Sequence, residues 1–266
     1  MTGFDRLVVA GRDEAATPIH LVAEAGFDAF LKSLPETARA MVAAADFRAQ
    51  QDRALLVPAG DGRGFTVAVG LGTGEAGRWT LAAAVPVIAG GRYRLSGHCP
   101  PRALPEMLHG WLMAQHQFTR YRPAEDKRGP RILLLDQPAL IPPAIAEAEA
   151  AVLVRDLIDT AAEDMGPAEL EAEIRALGEQ CGAQVESVRG ADLLARNFPA
   201  IHGVGRASPR YPRLVTMEWG KPAHPLVAIV GKGVCFDTGG LDLKPSSGMR
   251  LMKKDIGGAA HAIALD

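Results

Sequence analysis

Apolar and polar positions along the first half of the chain form blocks that predict both strands and helices. Short apolar runs bounded by turn residues predict strands, and longer amphipathic runs predict helices. The predicted strands are 19–22, 54–57, 65–69 and 131–135. Helices are predicted at 27–45, with an interruption near Pro35, and at 104–118. A further helix is predicted to start at Trp79 and to be kinked or ended by Pro86. The turn sequence Gly60-Asp61-Gly62 predicts that the second and third strands pair. Strands alternating with helices indicate an α/β fold with a mostly parallel sheet covered on both faces.

The second half of the chain begins at a junction marked by Pro142 and Pro143. Beyond it the pattern predicts helices at 144–158, 164–178 and 192–197 and strands at 185–188, 214–219 and 226–230. Gly178 is the expected stop of the second of these helices. The run Leu226–Val230 is short, rich in β-branched residues and bounded by Pro225 and Gly231, so we expect a buried strand there.

Charge and cysteine usage narrow the class of protein. The net charge is −2, and the nearest approach to a basic patch, within 120–128, is interleaved with Glu125 and Asp126, which is typical of a solvated loop. We therefore expect no nucleic-acid partner. The three cysteines are far apart, the N-terminus lacks a signal-peptide pattern, and no apolar run is long enough to cross a bilayer. These features predict a cytoplasmic protein without a membrane partner.

The segment Gly72–Gly77 formally fits the GxGxxG pattern of dinucleotide-binding proteins. That function requires an acidic residue about twenty positions further on to hold a ribose. The segment 90–98 has no carboxylate, so we favour a glycine-rich turn between a strand and a helix. Binding of a nucleotide or ADP-ribose at Gly70–Gly77 remains the weaker alternative.

Four charged residues follow the predicted strand 226–230 among several glycines: Lys232, Asp237, Lys244 and Asp255. Charged groups that leave a buried strand through glycine turns are costly to desolvate unless they pair or bind a ligand. The two carboxylates could bind Mn²⁺, Mg²⁺ or Zn²⁺, whereas the seven histidines show no metal-binding spacing. A salt bridge between Lys232 and Asp237 is the structural alternative.

This segment resembles the signature of the leucyl aminopeptidase (cytosol aminopeptidase) family, which runs roughly GKGxxFDSGGxxLKP…MxLMKxDMGGAA. The matching positions are Gly231, Lys232, Gly233, Phe236, Asp237, Gly239, Gly240, Leu243, Lys244, Pro245, Met249, Leu251, Met252, Lys253, Asp255 and Gly257 to Ala260. The departures are Thr238, Gly248, Arg250 and Ile256. The resemblance covers residues 145 to 266, and the N-terminal part is similar only in architecture.

The resemblance implies an N-terminal α/β domain (1–141), a linker helix (142–163) and the first half of an α/β zinc-peptidase-like catalytic domain (164–266) with a mixed sheet between helices. It implies that Asp237 bridges two divalent metal ions (Mn, Zn or Mg) and that Asp255 and Lys232 bind one of them. Lys244 would polarise the scissile carbonyl, and Met252 would line the pocket for the first side chain. The function implied is release of N-terminal, Leu-like residues from peptides by two-metal hydrolysis.

The family also uses a later NTDAEGR motif, which supplies two more metal ligands and an arginine that holds a bicarbonate. The sequence stops at Asp266 without it. Three ligands cannot complete two metal sites, so we expect a truncated chain of impaired activity. The family is hexameric, which predicts a homo-oligomer at full length. The alternative is a non-enzymatic α/β scaffold or regulatory binding module that retains the fold.

Overall fold

The computed structural model describes residues 2–59, 64–97, 99–124 and 127–265. The chain divides into two compact units, Met1–Val152 and Leu153–Asp266. The predicted turn Gly60–Gly62 lies outside the described residues, as do His98 of the segment 90–98 and Glu125 and Asp126 of the polar loop.

The elements of both units follow in chain order. The strands are β1 (Val8–Ala10), β2 (Thr17–Ala23), β3 (Ala54–Pro58), β4 (Phe65–Gly72), β5 (Gly91–Ser96), β6 (Arg131–Leu135), β7 (Gln184–Arg189) and β8 (Arg213–Glu218). The α-helices are α1 (Phe27–Ser33), α2 (Glu36–Ala44), α3 (Ala103–Met113), α4 (Ile141–Asp159), α5 (Pro167–Cys181), α6 (Asp192–Ala195), α7 (Pro199–Gly205), α8 (Ser246–Met249) and α9 (Gly257–Ala264).

The first unit is built on a six-stranded sheet in the order β1-β6-β5-β2-β4-β3. All neighbouring pairs are parallel except β3 and β4, which pair antiparallel as expected from the pattern of their sequence. The mixed α/β fold with a mostly parallel sheet is therefore confirmed. Two short strands, β1 and β5, were not predicted.

Helix α3 contributes several buried side chains to the core of this unit. Its residues Met107, Leu108, Trp111 and Leu112 are fully buried, and burial of such side chains is the main stabilising contribution in a core of this kind. The indole N–H of Trp111 donates to the carbonyl of Leu7, so the buried polar atom is satisfied.

The glycines that suggested a nucleotide site have a packing role. A Cβ on Gly70 would lie 2.1 Å from the carbonyl oxygen of Gln50, and Gly72 has a φ of +59°. No long helix follows them, because the helix predicted from Trp79 is only the 3₁₀ turn Leu81–Ala84. The helix N-terminus that binds a pyrophosphate in dinucleotide-binding folds is thus absent from this described segment.

The second unit contains the antiparallel pair β7 and β8, with α5 packed against it. Helix α5 does not stop at Gly178 as predicted but runs to Cys181, and Gly182 at φ +72° ends it. A Cβ on Gly178 would lie 2.6 Å from the side chain of Val185, so this glycine allows close packing of helix on strand.

The prediction of a buried strand at Leu226–Val230 is wrong for the described structure. The segment has no regular secondary structure, and Leu226, Val227 and Val230 are 89%, 80% and 91% exposed. A buried strand needs partners for its backbone and cover for its side chains, and no described strand pairs with this segment. Within the described residues, the sheet of this unit is the two-stranded antiparallel ribbon of β7 and β8.

No helix in the part of the chain that the structure describes is long and apolar enough to cross a membrane.

Candidate metal centre

Lys232 is anchored where the segment 231–233 crosses the first turn of α9. The amide of Ala259 donates to the carbonyl of Lys232 at 2.9 Å. A Cβ on Gly231 would lie 2.4 Å from the carbonyl oxygen of Gly258, and one on Gly258 would lie 2.9 Å from the amide nitrogen of Lys232. The two backbones can approach so closely only because both positions are glycine.

A tight loop brings Lys244 onto Asp237. The amide of Gly239 donates to Asp237 Oδ1 at 2.8 Å, and the amide of Lys244 donates to the carbonyl of Thr238 at 2.9 Å. Gly239 has a φ of +95°, and a Cβ there would lie 2.3 Å from the carbonyl oxygen of Asp242. With the loop closed in this way, Lys244 Nζ lies 2.7 Å from Asp237 Oδ1.

Asp255 and Met252 lie on one 3₁₀ helix, Met252–Ile256. Residues three apart on such a helix share a face, so Met252 and Asp255 lie on the same side of it. Met252 is buried, and its Sδ lies 3.2 Å from Lys244 Nζ. Asp255 Oδ1 accepts a hydrogen bond from Lys254 Nζ at 2.6 Å.

The predicted site residues form one electrostatic cluster. The hydrogen bond from Lys244 lowers the pKa of Asp237, and the hydrogen bond from Lys254 lowers the pKa of Asp255. The two carboxylates also act on each other, because the charge of Asp255 opposes the lowering of the Asp237 pKa. The charges of Lys232 and Lys244 further lower the pKa of Asp255. Both carboxylates are consequently ionised at neutral pH, the state in which a carboxylate binds a cation.

The donor atoms of the cluster are of the type that divalent cations prefer, but there are too few of them for two metal ions. Ionised carboxylate oxygens suit Mn²⁺, Mg²⁺ and Zn²⁺, and Oδ2 of both Asp237 and Asp255 has no hydrogen-bond partner among the described residues. In the same residues, no three His, Cys, Asp or Glu side chains come together as a metal site. The two carboxylates and the amine of Lys232 are therefore too few donors to complete a two-metal site by themselves.

The backbone of Lys232 lies beside the cluster, but its side chain is exposed, with Nζ 3.4 Å from the carbonyl oxygen of Asp255. An amine binds a metal only when neutral, which needs desolvation or an adjacent cation. The exposed side chain of Lys232 is not desolvated in the described structure.

Neighbouring residues without an assigned role make pairings that the sequence pattern did not reveal. Lys253 Nζ lies 2.5 Å from Asp159 Oδ1, and Lys254 bonds the candidate ligand Asp255. In the sequence, only the position of Lys254 directly before Asp255 pointed to this pairing. Cys235, inside the motif, is buried, and burial raises the pKa of its thiol to about 11, so it stays protonated.

Many large apolar residues that lie near the charged positions in the sequence are exposed. The exposed large apolar residues on both sides of the charged positions are Leu226, Val227, Ile229, Val230, Phe236, Leu241, Leu243 and Leu251. These apolar side chains are left in contact with solvent in the described structure.

Two family models match this chain. The catalytic domain of the cytosol aminopeptidase family matches residues 152–265, which include every predicted site residue. The N-terminal domain of M17 aminopeptidases matches residues 17–134.

Curated relatives carry the same family name. A "Probable cytosol aminopeptidase" of Chelativorans sp. (strain BNC1) is 37% identical over 168 residues, covering 59% of this chain and 34% of the relative. One of Sinorhizobium medicae (strain WSM419) is 44% identical over 124 residues, covering 46% of this chain and 25% of the relative. The matched region thus spans only about a third and a quarter of these two relatives' lengths.

Solved structures of the family share the fold. The crystal structure of cytosol aminopeptidase from Coxiella burnetii superposes with a TM-score of 0.87 at 32% identity, covering 97% of this chain and 56% of that one. The bottromycin maturation enzyme BotP in complex with Mn gives a TM-score of 0.74 at 26% identity, covering 94% of this chain and 55% of that one. The two family models, the relatives and the shared fold show that this chain belongs to the cytosol aminopeptidase (M17) family.

Proposed function

We propose that this protein is a metal-dependent aminopeptidase that releases N-terminal, Leu-like residues from peptides. The observation that carries the proposal is the electrostatic cluster of Lys232, Asp237, Lys244 and Asp255, inside the region that matches the family's catalytic domain. Mn²⁺ in the related BotP structure supports a divalent cation as the cofactor class.

Asp237 would bridge two divalent cations, and Asp255 and Lys232 would bind one of them. When bound, two such ions would activate a water at neutral pH and hold the free amine of the substrate. Three protein donors leave both ions short of ligands. In the complete enzyme, further carboxylates and a bicarbonate that acts as base would complete the site.

Lys244 would polarise the scissile carbonyl and stabilise the developing oxyanion. A fixed positive charge in a site sheltered from water favours the transition state over the ground state. In the described structure the ammonium of Lys244 is held by the Asp237 carboxylate and the Met252 sulfur. Cation binding at Asp237 would weaken this ion pair and free the ammonium for the substrate.

Met252 would line the pocket for the substrate's first side chain. Its thioether is buried beside Lys244, so an apolar side chain placed there would sit next to the group that acts on its carbonyl. A flexible thioether suits Leu-like residues.

The wider proposal comprises the division into domains 1–141 and 164–266 with a linker helix 142–163, a homo-hexameric assembly, and a cytoplasmic location.

A second candidate is a non-enzymatic module that retains the fold. The exposed side chain of Lys232 and the count of three donors favour it over an active site complete within the described residues. An aminopeptidase and a non-enzymatic module would have the same fold, so only a measurement of peptide hydrolysis distinguishes the two functions.

The test is hydrolysis of leucine amide with Mn²⁺ added, by the 266-residue chain and by a chain extended to the length of its relatives. Each is compared with its Asp237→Asn variant and with Asp242→Asn, a nearby carboxylate without an assigned role. We expect metal-dependent turnover in the extended chain, lost with Asp237→Asn and kept with Asp242→Asn. No turnover at either length would overturn the proposal in favour of the non-enzymatic module.

A further inference from the structure

The first unit contains a cavity of about 290 Å³ that none of the proposed chemistry uses. It opens where β5 and β6 end, and the first turn of α3 contributes Leu104 to its wall. Ligands of α/β folds bind outside the carboxyl ends of parallel strands, because loops and helix N-termini meet there.

The cavity has a positive side. Arg94 lines it, and its Nη atoms donate to backbone carbonyls of the loop Gly11–Glu14. Among the residues that the structure describes, the Arg94 guanidinium pairs with no carboxylate, so its positive charge is not neutralised by an ion pair. The N-terminus of α3 adds partial positive charge, since its N-cap residue Arg102 makes no side-chain cap. A ligand's anionic group would therefore be stabilised on this side.

The remaining walls differ in character. Leu95, Leu104 and Leu135 present apolar surface. Asp136, which follows β6 directly, is exposed at the rim, and its carboxylate has no partner in the described part of the chain. A cavity with a positive side, an apolar floor and a carboxylate at the rim is complementary to a small zwitterion with an aliphatic side chain.

We propose that this cavity binds a free aliphatic α-amino acid. The ligand's carboxylate faces Arg94 and the start of α3, its ammonium group pairs with Asp136, and its side chain packs on the leucines. The site is separate from the charged cluster of the second unit. A free aliphatic amino acid is also the product class of the proposed reaction, so this choice of ligand rests in part on the proposed function.

The experiment is an NMR titration of the ¹⁵N-labelled 266-residue chain with L-leucine, L-leucinamide and 4-methylpentanoate. Leucinamide lacks the carboxylate, and 4-methylpentanoate lacks the ammonium group. We expect saturable shifts of the Gly97, Cys99 and Gln137 amides with leucine, and binding weaker by about tenfold for each analogue, the size of one charge-assisted hydrogen bond.

Two variants locate the site. Asp136→Asn removes an exposed charge and should leave the fold intact. We expect it to weaken the binding of leucine by about tenfold and to leave the binding of 4-methylpentanoate unchanged. Asp237→Asn in the second unit should leave the cavity shifts unchanged. Shifts at Gly239 and Gly240 in place of the cavity amides, equal binding of leucine and 4-methylpentanoate, or no shifts at all would each overturn the proposal.

Discussion

Lys244 and Asp237 are joined by an ion pair of 2.7 Å, and the backbone of the loop between them is closed by the bond from the Lys244 amide to the carbonyl of Thr238. This geometry depends on Gly239, whose φ of +95° and close approach to the carbonyl of Asp242 exclude a side chain. The loop therefore determines which lysine reaches the candidate bridging carboxylate.

Gly239→Ala should open this loop, and Gly240→Ala is its matched control. Both residues have positive φ, which costs an alanine about 1–2 kcal/mol, but a Cβ on Gly240 meets nothing within 4 Å. We expect the Lys244 amide to exchange with solvent at least about tenfold faster in Gly239→Ala than in Gly240→Ala, because only the first substitution adds a backbone clash worth more than about 1.4 kcal/mol. Equal exchange in the two variants would show that the clash does not shape the loop.

Gly258→Ala should separate the Lys232 backbone from α9. A Cβ at Gly258 would lie within 3.0 Å of the backbone of Lys232, whereas one at Gly257 meets only Ile158 at an ordinary 3.6 Å. Helix propensity alone favours alanine at either position by up to about 1 kcal/mol. We expect urea unfolding to show Gly257→Ala as neutral or stabilising and Gly258→Ala as destabilising. The opposite order would contradict the described contact.

Glu171 should make the second unit sensitive to acid. Burial acts to raise its pKa, but hydrogen bonds from Arg189, Arg213, Arg175 and Ser187 outweigh burial and lower it from 4.5 to about 2. Because the folded pKa lies below the unfolded one, this stabilisation is full above about pH 4.5 and is lost as the pH falls toward 2. Its size is roughly 3 kcal/mol.

Urea unfolding of Glu171→Gln as a function of pH tests this. The variant should be less stable at pH 7 and should show a flatter fall in stability between pH 4.5 and 2. Glu173→Gln, on the exposed face of the same helix, is the control. Its stability should depend on pH in the same way as that of the unchanged chain. An unaltered pH profile in Glu171→Gln would refute the linkage.

Lys254 should compete with a cation for Asp255. Its ammonium lies 2.6 Å from Asp255 Oδ1, and an exposed pair of this kind contributes up to about 1 kcal/mol. We expect Lys254→Gln to bind Mn²⁺ about two- to fivefold more tightly, as measured by titration calorimetry. Lys253→Gln removes the same charge from a pair with Asp159 and should have a smaller effect. If both variants bind Mn²⁺ with the same affinity, Lys254 does not compete with the cation for Asp255.

Local pattern predicted most elements of the first unit because their apolar blocks are long and regular, as in β4 and α3. Strand β5 escaped prediction because Arg92 and Arg94 interrupt its pattern, and these side chains bond Glu14 and the loop carbonyls before it. The run Leu226–Val230 has the composition of a buried strand, but pairing is decided by distant segments, and local composition does not supply a neighbour.

The candidate site was predictable in residue type and not in arrangement. The motif identified Asp237, Asp255 and Lys244, since carboxylates and lysines among glycines are a chemical pattern. The pairing of Lys244 with Asp237 depends on the positive φ of Gly239, and the pairing of Lys254 with Asp255 depends on the 3₁₀ turn. Neither conformation follows from residue type alone.

Binding of Mn²⁺, followed by the loss of the free-ion electron paramagnetic resonance signal, tests the central claim most directly. It should be measured for the unchanged chain and for Asp237→Asn, with Asp242→Asn as the control for a nearby carboxylate outside the proposed donor set. We predict binding that Asp237→Asn weakens at least about tenfold and Asp242→Asn leaves unchanged, because a charged ligand is lost only in the first variant. Equal Mn²⁺ binding in all three proteins would contradict the assignment of Asp237 as a metal ligand.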